Sequence, residues 1–334
     1  NSRYTEVFFS RSIGLDNDII GGGRLTGQAG PFSIGFLSLQ TKDNPDSYIP
    51  GANNTVLRLR GDVCERATVG GIITNYQNSE TFNRAAGMDL RYRFFTSSSF
   101  GAWFSNTWTD DGDPSPNAAG YVGLQLRNDR FSVATDYTNI GKNFDPAIGF
   151  VRRNDMVRYG GTAAWTPRFE NSTWARQASF MVLGNYINGQ DGEKQSDEAI
   201  FYPSLTFQNG NNILVGLTHK WERLVEPWEI RPGVLIPAGD YPFNYVGVQF
   251  RTNDSKEFSV RGTTHIGEYW NGDWFQYRGG VTWKTGPHLE LTGTFDRREF
   301  DLPVEKGEFE TNILGLNILG AVSRKLFANA LVQY

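Results

Sequence analysis

The sequence predicts an all-β chain, a transmembrane antiparallel β-barrel of about eighteen to twenty strands, with short turns on one side and long loops on the other. Three observations carry this. Long segments alternate apolar and polar residues with a period of two; short polar turns alternate with long loops; and a hydrophilic average, mean hydropathy −0.44, coexists with 14% aromatic residues and 38 glycines in 334 residues.

In chain order, Arg24–Ala29, Phe32–Thr41, Thr55–Gly61 and Arg66–Tyr76 read as the first strands. The clearest alternation follows: Ala86, Met88, Leu90, Tyr92 and Phe94 stand against Gly87, Asp89, Arg91 and Arg93, so an apolar face opposes a charged one. Phe100–Trp108, Ala118–Arg127, Phe131–Thr138, Met156–Thr166, Trp174–Ile187 and Ala199–Gln208 come next. Ile213–Glu222, Tyr245–Arg251, Phe258–Ile266, Phe275–Lys284, Leu289–Asp296, Phe309–Gly320 and Leu326–Tyr334 complete the set, and no segment carries a helical period. Val7–Leu15 either adds a strand or enters the lumen.

Tight turns fall around Gly30-Pro31, Asp62–Glu65, Ser97–Ser99, Asn128-Asp129, Gly210, Asn253–Lys256, Gly286-Pro287 and Ser323-Arg324. Longer loops cover Lys42–Asn54, Gln77–Arg84, Asp110–Asn117, Ile140–Asp155, Asn188–Asp197, Arg223–Tyr241 and Arg298–Gly307; Pro167–Ser172 and Gly267–Gly272 are intermediate. Sorting loops by length onto opposite ends is a habit of membrane barrels rather than of soluble sandwiches. Strands of about ten residues also match a tilted crossing of a bilayer, and only a closed sheet satisfies its backbone in lipid. The reading is therefore one barrel domain over residues 1–334. A soluble propeller is disfavoured, since no blade-length repeat is visible.

Barrel physics reconciles the composition. Lipid contact needs apolar residues only at every second position, so the mean stays hydrophilic. Trp103, Trp108, Trp165, Trp174, Trp221, Trp274 and Trp283 are read as interfacial girdle residues. Glycines inside strands, such as Gly70 and Gly160, are read as fitting tight curvature.

If the apolar parity faces lipid, the opposite parity lines the interior. It gathers Arg58, Arg60, Asp89, Arg91, Arg93, Arg127, Asp136 and Arg158 in the first half. Lys220, Glu222, Arg261, Arg278, Lys284, Glu290 and Asp296 follow in the second, with His265 and Arg298 on the same parity. Mixed charge either lines an aqueous pore or closes it by ion pairing across the barrel, and parity alone does not separate the two.

Other functions are demoted. A formal net charge of −4 provides no footprint for nucleic acid. Cys64 is the single cysteine and the three histidines are scattered, so neither a disulfide framework nor a metal site is expected, and no cofactor. Asp110-Asp111-Gly112-Asp113 lacks the spacing and closing Glu of a calcium loop. Ser259 and His265 share a strand face without an Asp partner, and Glu290 and Asp296 stand roughly 20 Å apart by strand rise, so no catalytic residue is assigned and a hydrolase is remote.

Several runs carry a family resemblance: Phe8-Phe9-Ser10-Arg11-Ser12-Ile13-Gly14-Leu15, Gly23-Arg24-Leu25-Thr26-Gly27, Ser33-Ile34-Gly35 and Leu39-Gln40-Thr41. Asn83-Arg84-Ala85-Ala86-Gly87-Met88-Asp89, Ile148-Gly149-Phe150-Val151-Arg152-Arg153-Asn154-Asp155 and Leu331-Val332-Gln333-Tyr334 add to it. Together they resemble the barrel portion of an uncharacterised bacterial outer-membrane family whose members often carry an amino-terminal domain similar to family 9 carbohydrate-binding modules. The resemblance implies the outer membrane of a Gram-negative bacterium, a link to glycans, and a chain that is part of a longer protein. It brings no catalytic residues. The expected role is a pore for small polar solutes or glycans, with the lipid bilayer as partner; the rival is a barrel that anchors a separate carbohydrate-binding domain.

Overall fold

The computed structural model describes residues 4–15, 17–46, 48–110, 112, 115–323 and 326–334. Asp111, Asp113 and Arg324, which figured in the readings above, lie outside them. Eighteen long strands form one antiparallel sheet closed as a barrel. The first eight are β2 (Ile19–Ala29), β3 (Phe32–Thr41), β4 (Asn53–Cys64), β5 (Ala67–Gln77), β6 (Phe82–Phe94), β7 (Ser98–Thr109), β8 (Ala118–Arg127) and β9 (Phe131–Ile140). Then come β11 (Met156–Trp165), β12 (Ala175–Asn188), β13 (Lys194–Phe207), β14 (Asn212–Leu224) and β17 (Gly239–Arg251). The last five are β18 (Phe258–Tyr269), β19 (Gly272–Lys284), β20 (Leu289–Asp301), β21 (Glu308–Ser323) and β22 (Leu326–Gln333).

Two short ladders stand apart from that sheet. β1 (Thr5–Glu6) pairs antiparallel with β10 (Phe150–Val151), and β15 (Trp228–Arg231) with β16 (Val234–Ile236). β10, β15 and β16 lie in segments the sequence reads as long loops, and β1 just precedes the undecided Val7–Leu15.

Many strands run further than their alternation. β13 starts at Lys194 rather than Ala199, β17 at Gly239 rather than Tyr245, and β20 ends at Asp301 rather than Asp296. All three extensions are at the long-loop end, where the outward positions turn polar and inward ones include Tyr241, Phe243 and Phe300, so the contrast that marks the belt is lost or reversed while the ladder continues. The intermediate connections separate: 166–174 falls among the short turns, and 270–271 is a tight turn among the long loops.

The registers fix which residues share a face. In the row Leu59, Gly71, Met88, Phe104, Gly120, each residue is opposite the next across β4 to β8; its neighbour row is Arg60, Gly70, Asp89, Trp103, Tyr121. Burial on the two faces is the reverse of a soluble protein. Large apolar residues of the first face are open, with Met88 67% and Ile73 57% exposed, whereas small polar residues of the second are sealed, among them Thr74, Ser105 and Thr107. A sheet closed on itself crowds its inner face, so the charged parity is the inner wall and the exposed apolar parity is the outer surface.

By contact density the chain comprises two compact units: Asn1–Asn128, Val133–Gly161 and Ile187–Lys194 make the first; Asp129–Ser132, Thr162–Tyr186 and Gln195–Tyr334 the second. Each has a small apolar cluster of its own. In the first, Ala119, Ile140, Phe144, Met156 and Ile187 gather Tyr4, Val7, Trp103 and Val151. In the second, Val234, Ile236, Tyr241, Phe243, Trp270 and Leu302 gather Tyr245, Phe300 and Phe309 among others.

Candidate functional site: the charged inner wall

In the first unit the wall is built around two ion pairs that depend on glycine. Arg58 Nη1 on β4 reaches Asp89 Oδ2 on β6 at 2.5 Å, crossing β5 between them. It crosses at Gly70, where a Cβ would lie 2.5 Å from Arg58 Nη2 and 2.7 Å from Asp89 Oδ2. Gly160 repeats the device: its missing Cβ leaves room for Arg158 of β11 to pair with Asp136 of β9. Both glycines, read from the sequence as curvature, are passages for side chains.

Towards the short turns the balance changes. Arg60, Arg91, Arg93 and Arg127 are exposed and, among the described residues, make no ion pair. Towards the long loops the same wall is covered. The main-chain NH of Arg152 donates to Tyr4 O at 2.8 Å and that of Phe9 to Ile148 O at 2.9 Å. The Arg158 guanidinium stands 5.3 Å from the centre of the Tyr4 ring, and Val7 packs on the first cluster. The amino-terminal segment therefore lies against the inner wall of this unit instead of adding a barrel strand.

In the second unit Asp296 of β20 is the hub. Its Oδ2 accepts from Arg278 Nη2 at 2.6 Å and Arg298 Nη2 at 3.0 Å, and its Oδ1 from Gln276 Nε2 at 2.9 Å. One carboxylate shared by two guanidiniums leaves a net positive site. Lys220 pairs with Glu198 at 3.2 Å, a carboxylate that the sequence reading did not pick out although it shares the alternation of β13. Glu222 faces Tyr241, and Arg261 faces Gly280 on one side and Arg251 on the other. Lys284 is opposite Glu290, yet its Nζ donates to the Asp254 carbonyl in the short-turn region. The hairpin β15–β16 covers this unit's wall at the long-loop end, with Ile236 fully buried and Arg231 4.6 Å from the Phe309 ring centre.

The tryptophans divide. Trp108, Trp165, Trp174 and Trp283 are exposed, and Trp221 shares the parity of the exposed Leu217. Trp108 is opposite Arg84 at the long-loop end, while Trp283 stacks on Phe258 at the other. Trp103 and Trp274 are corrections: both face inward. Trp103 is opposite Asp89 and packs into the first cluster; Trp274 is opposite Phe300 and lies 5.4 Å from the His265 ring, nearly parallel to it. Residue type pointed to a girdle, but parity decides the face. Trp274 shares its parity with Gln276 and Arg278, and Trp103 with Gly101 and Ser99.

Outside, the apolar belt has a visible edge. On β19 to β21, Phe275, Phe295 and Leu314 give way to Asp273, Arg297 and Asn312 and then to Glu299, Asp301, Glu308 and Glu310. Below that edge the outward run Phe275–Trp283 spans about 27 Å along the strand, or roughly 21 Å at a tilt near 40°, close to the ~25 Å band of a membrane barrel. Ser259 and His265 lie opposite Thr282 and Gln276, three inner-face positions apart, so no nucleophile and base are brought together there.

No family model and no curated protein sequence matches the chain. Among solved structures it is similar to the outer membrane protein opdK from Pseudomonas aeruginosa, with a TM-score of 0.46 and 10% identity over 91% of this chain and 93% of that one. At that level the likeness adds nothing to the fold the ladder already defines.

Proposed function

We propose that the chain is an outer-membrane β-barrel that works as a pore for small polar solutes, with a preference for anions. Exposed apolar outer residues bounded by charge and tryptophan support the membrane address. The observation that carries the anion preference is the group Arg60, Arg91, Arg93 and Arg127 on the inner wall, which makes no ion pair among the described residues. Of the sixteen inner-wall charges read from the sequence, Arg298 included and His265 aside, eleven are basic and five acidic. Rings of one sign tune the selectivity of a wet pore.

Planar-bilayer recordings under a potassium chloride gradient test this. The intact protein should conduct with a reversal potential displaced towards that of chloride. Changing the four arginines to glutamine should move it towards zero. Absence of conductance would overturn the pore, and an unchanged reversal potential the arginine assignment.

A second reading, a barrel serving as anchor for a separate carbohydrate-binding domain, is favoured by the inner coverings, Tyr4–Val7 in one unit and β15–β16 in the other. It predicts a silent bilayer trace that stays silent after the hairpin is removed.

A further inference from the structure

We infer that the inner wall of the second unit carries a binding site for a neutral pyranose ring, formed where Tyr202 and His265 lie over a pair of glycines. The inference deepens the pore reading by naming a solute class and a resting place on the wall, and rests on it for the site's access to solute.

Gly216 of β14 and Gly247 of β17 are directly opposite each other, and Gly247 is opposite His265 of β18. Neither glycine projects a side chain, and both gaps are roofed by a neighbour's ring. A Cβ on Gly216 would lie 2.9 Å from Tyr202 Cε1, and one on Gly247 would lie 2.8 Å from His265 Cδ2. Two rings from flanking strands therefore lean towards each other along the wall, over a floor free of side chains. The Tyr245 ring stands across the His265 ring, 6.0 Å away at 74°. A cavity of about 410 Å³ opens here, with Met181, Thr218, Gln249 and Thr263 among its remaining walls. That falls within the ~300–1,000 Å³ of small-molecule sites.

The lining chemistry selects the ligand. None of the side chains around the cavity is an acid, a lysine or an arginine, although the rest of this wall is dense with them. The Tyr202 and Tyr245 hydroxyls, the Thr218 and Thr263 hydroxyls and the Gln249 amide make no hydrogen bond among the described residues. An anion would find no countercharge in the lining. A wholly apolar ligand would desolvate five polar groups without pairing them, at a cost for each. A pyranose meets both demands, since its C–H face packs on rings while its hydroxyls donate and accept around the edge. It is also neutral.

Titration calorimetry of the intact protein in detergent micelles, with cellotriose and maltotriose as probes and benzoate as an anionic ring of similar width, tests the site. At least one trisaccharide should bind saturably and benzoate should not compete. Tyr202→Ala and His265→Ala should each weaken binding about tenfold, the scale of one lost ring contact. Thr263→Val, which keeps the volume and removes a hydroxyl, should weaken it about threefold. Heat-modifiable gel migration checks that each variant is folded, and Thr263→Val carries the test if the alanine variants are not. No saturable sugar binding, affinity unchanged in the folded variants, or benzoate competing as well as the sugars would overturn the inference. Conductance without sugar binding refutes this site and leaves the pore standing; sugar binding without conductance does the reverse.

Discussion

Met88 offers a direct test of the inverted burial. It sits in mid-belt on the outer face of β6, 67% exposed, between Gly71 and Phe104 on the neighbouring strands. In a protein surrounded by water, replacing so open a side chain with arginine would change stability by no more than about 0.5 kcal/mol. In a bilayer, arginine near the midplane of a barrel's lipid face costs about 2–4 kcal/mol, which is about thirtyfold to nearly a thousandfold in the folding equilibrium. Snorkelling gives little relief, because the polar edge at Arg84 is four residues away, about 13 Å along the strand. Val225, 83% exposed in the connection between β14 and β15, is the matched control outside the belt. Reversible guanidinium unfolding from phosphatidylcholine vesicles, followed by tryptophan fluorescence, should show the full cost for Met88→Arg and almost none for Val225→Arg. Equal effects of the two substitutions would refute the assignment of the apolar face to lipid.

Three further outcomes follow from named contacts. Gly70→Val places carbon atoms where Arg58 and Asp89 meet, and should destabilise the barrel by about 1–3 kcal/mol in the same vesicle assay, the usual cost of overpacking. Ile236→Ala removes a fully buried side chain from the hairpin cluster, at about 2–5 kcal/mol to local packing; protease cutting within 225–238 should become faster while the rest of the barrel resists. Cys64 is exposed at the short-turn end of β4, the end that faces the periplasm in bacterial barrels. A membrane-impermeant maleimide should leave it unlabelled in whole cells and label it once the outer membrane is permeabilised. Labelling in whole cells would reverse the orientation.

What was legible in the sequence is what repeats every two residues. Met88 against Asp89 and Val281 against Thr282 fix strand, face and environment together, because a barrel wall must keep the same alternation from one belt edge to the other. The hairpin β15–β16 was missed inside a long loop, although Pro232-Gly233 between Trp228–Arg231 and Val234–Ile236 is a turn dipeptide between strand-forming runs. The roles of Gly70, Gly160, Gly216 and Gly247 had no such signal. Each depends on what a neighbouring strand brings opposite an empty position, and so on register, which no single strand encodes.

Register also changes the meaning of the net charge. Summed over the chain, −4 reads as a mildly acidic protein with nothing basic to offer a partner. Sorted by face it reads otherwise. The acidic residues Asp273, Glu299, Asp301, Glu308 and Glu310 crowd the outer rim of β19 to β21, with Arg297 bridging Glu299 at 2.5 Å and Glu310 at 2.8 Å. Arginine dominates the interior. The two populations are separated by a sheet, and the inner one is partly shielded from bulk solvent, so they do not cancel for a solute on the wall as they do in a sum. On the inner face the first unit presents Arg60, Arg91, Arg93 and Arg127 and the second the doubly bridged Asp296, and within the second unit the lining over Gly216 and Gly247 holds no acid, lysine or arginine. Under the proposed function the arginines of the first unit would draw anions, and the uncharged lining of the second would hold a neutral ring. The anion preference and the sugar site therefore call for separate mutations and separate assays.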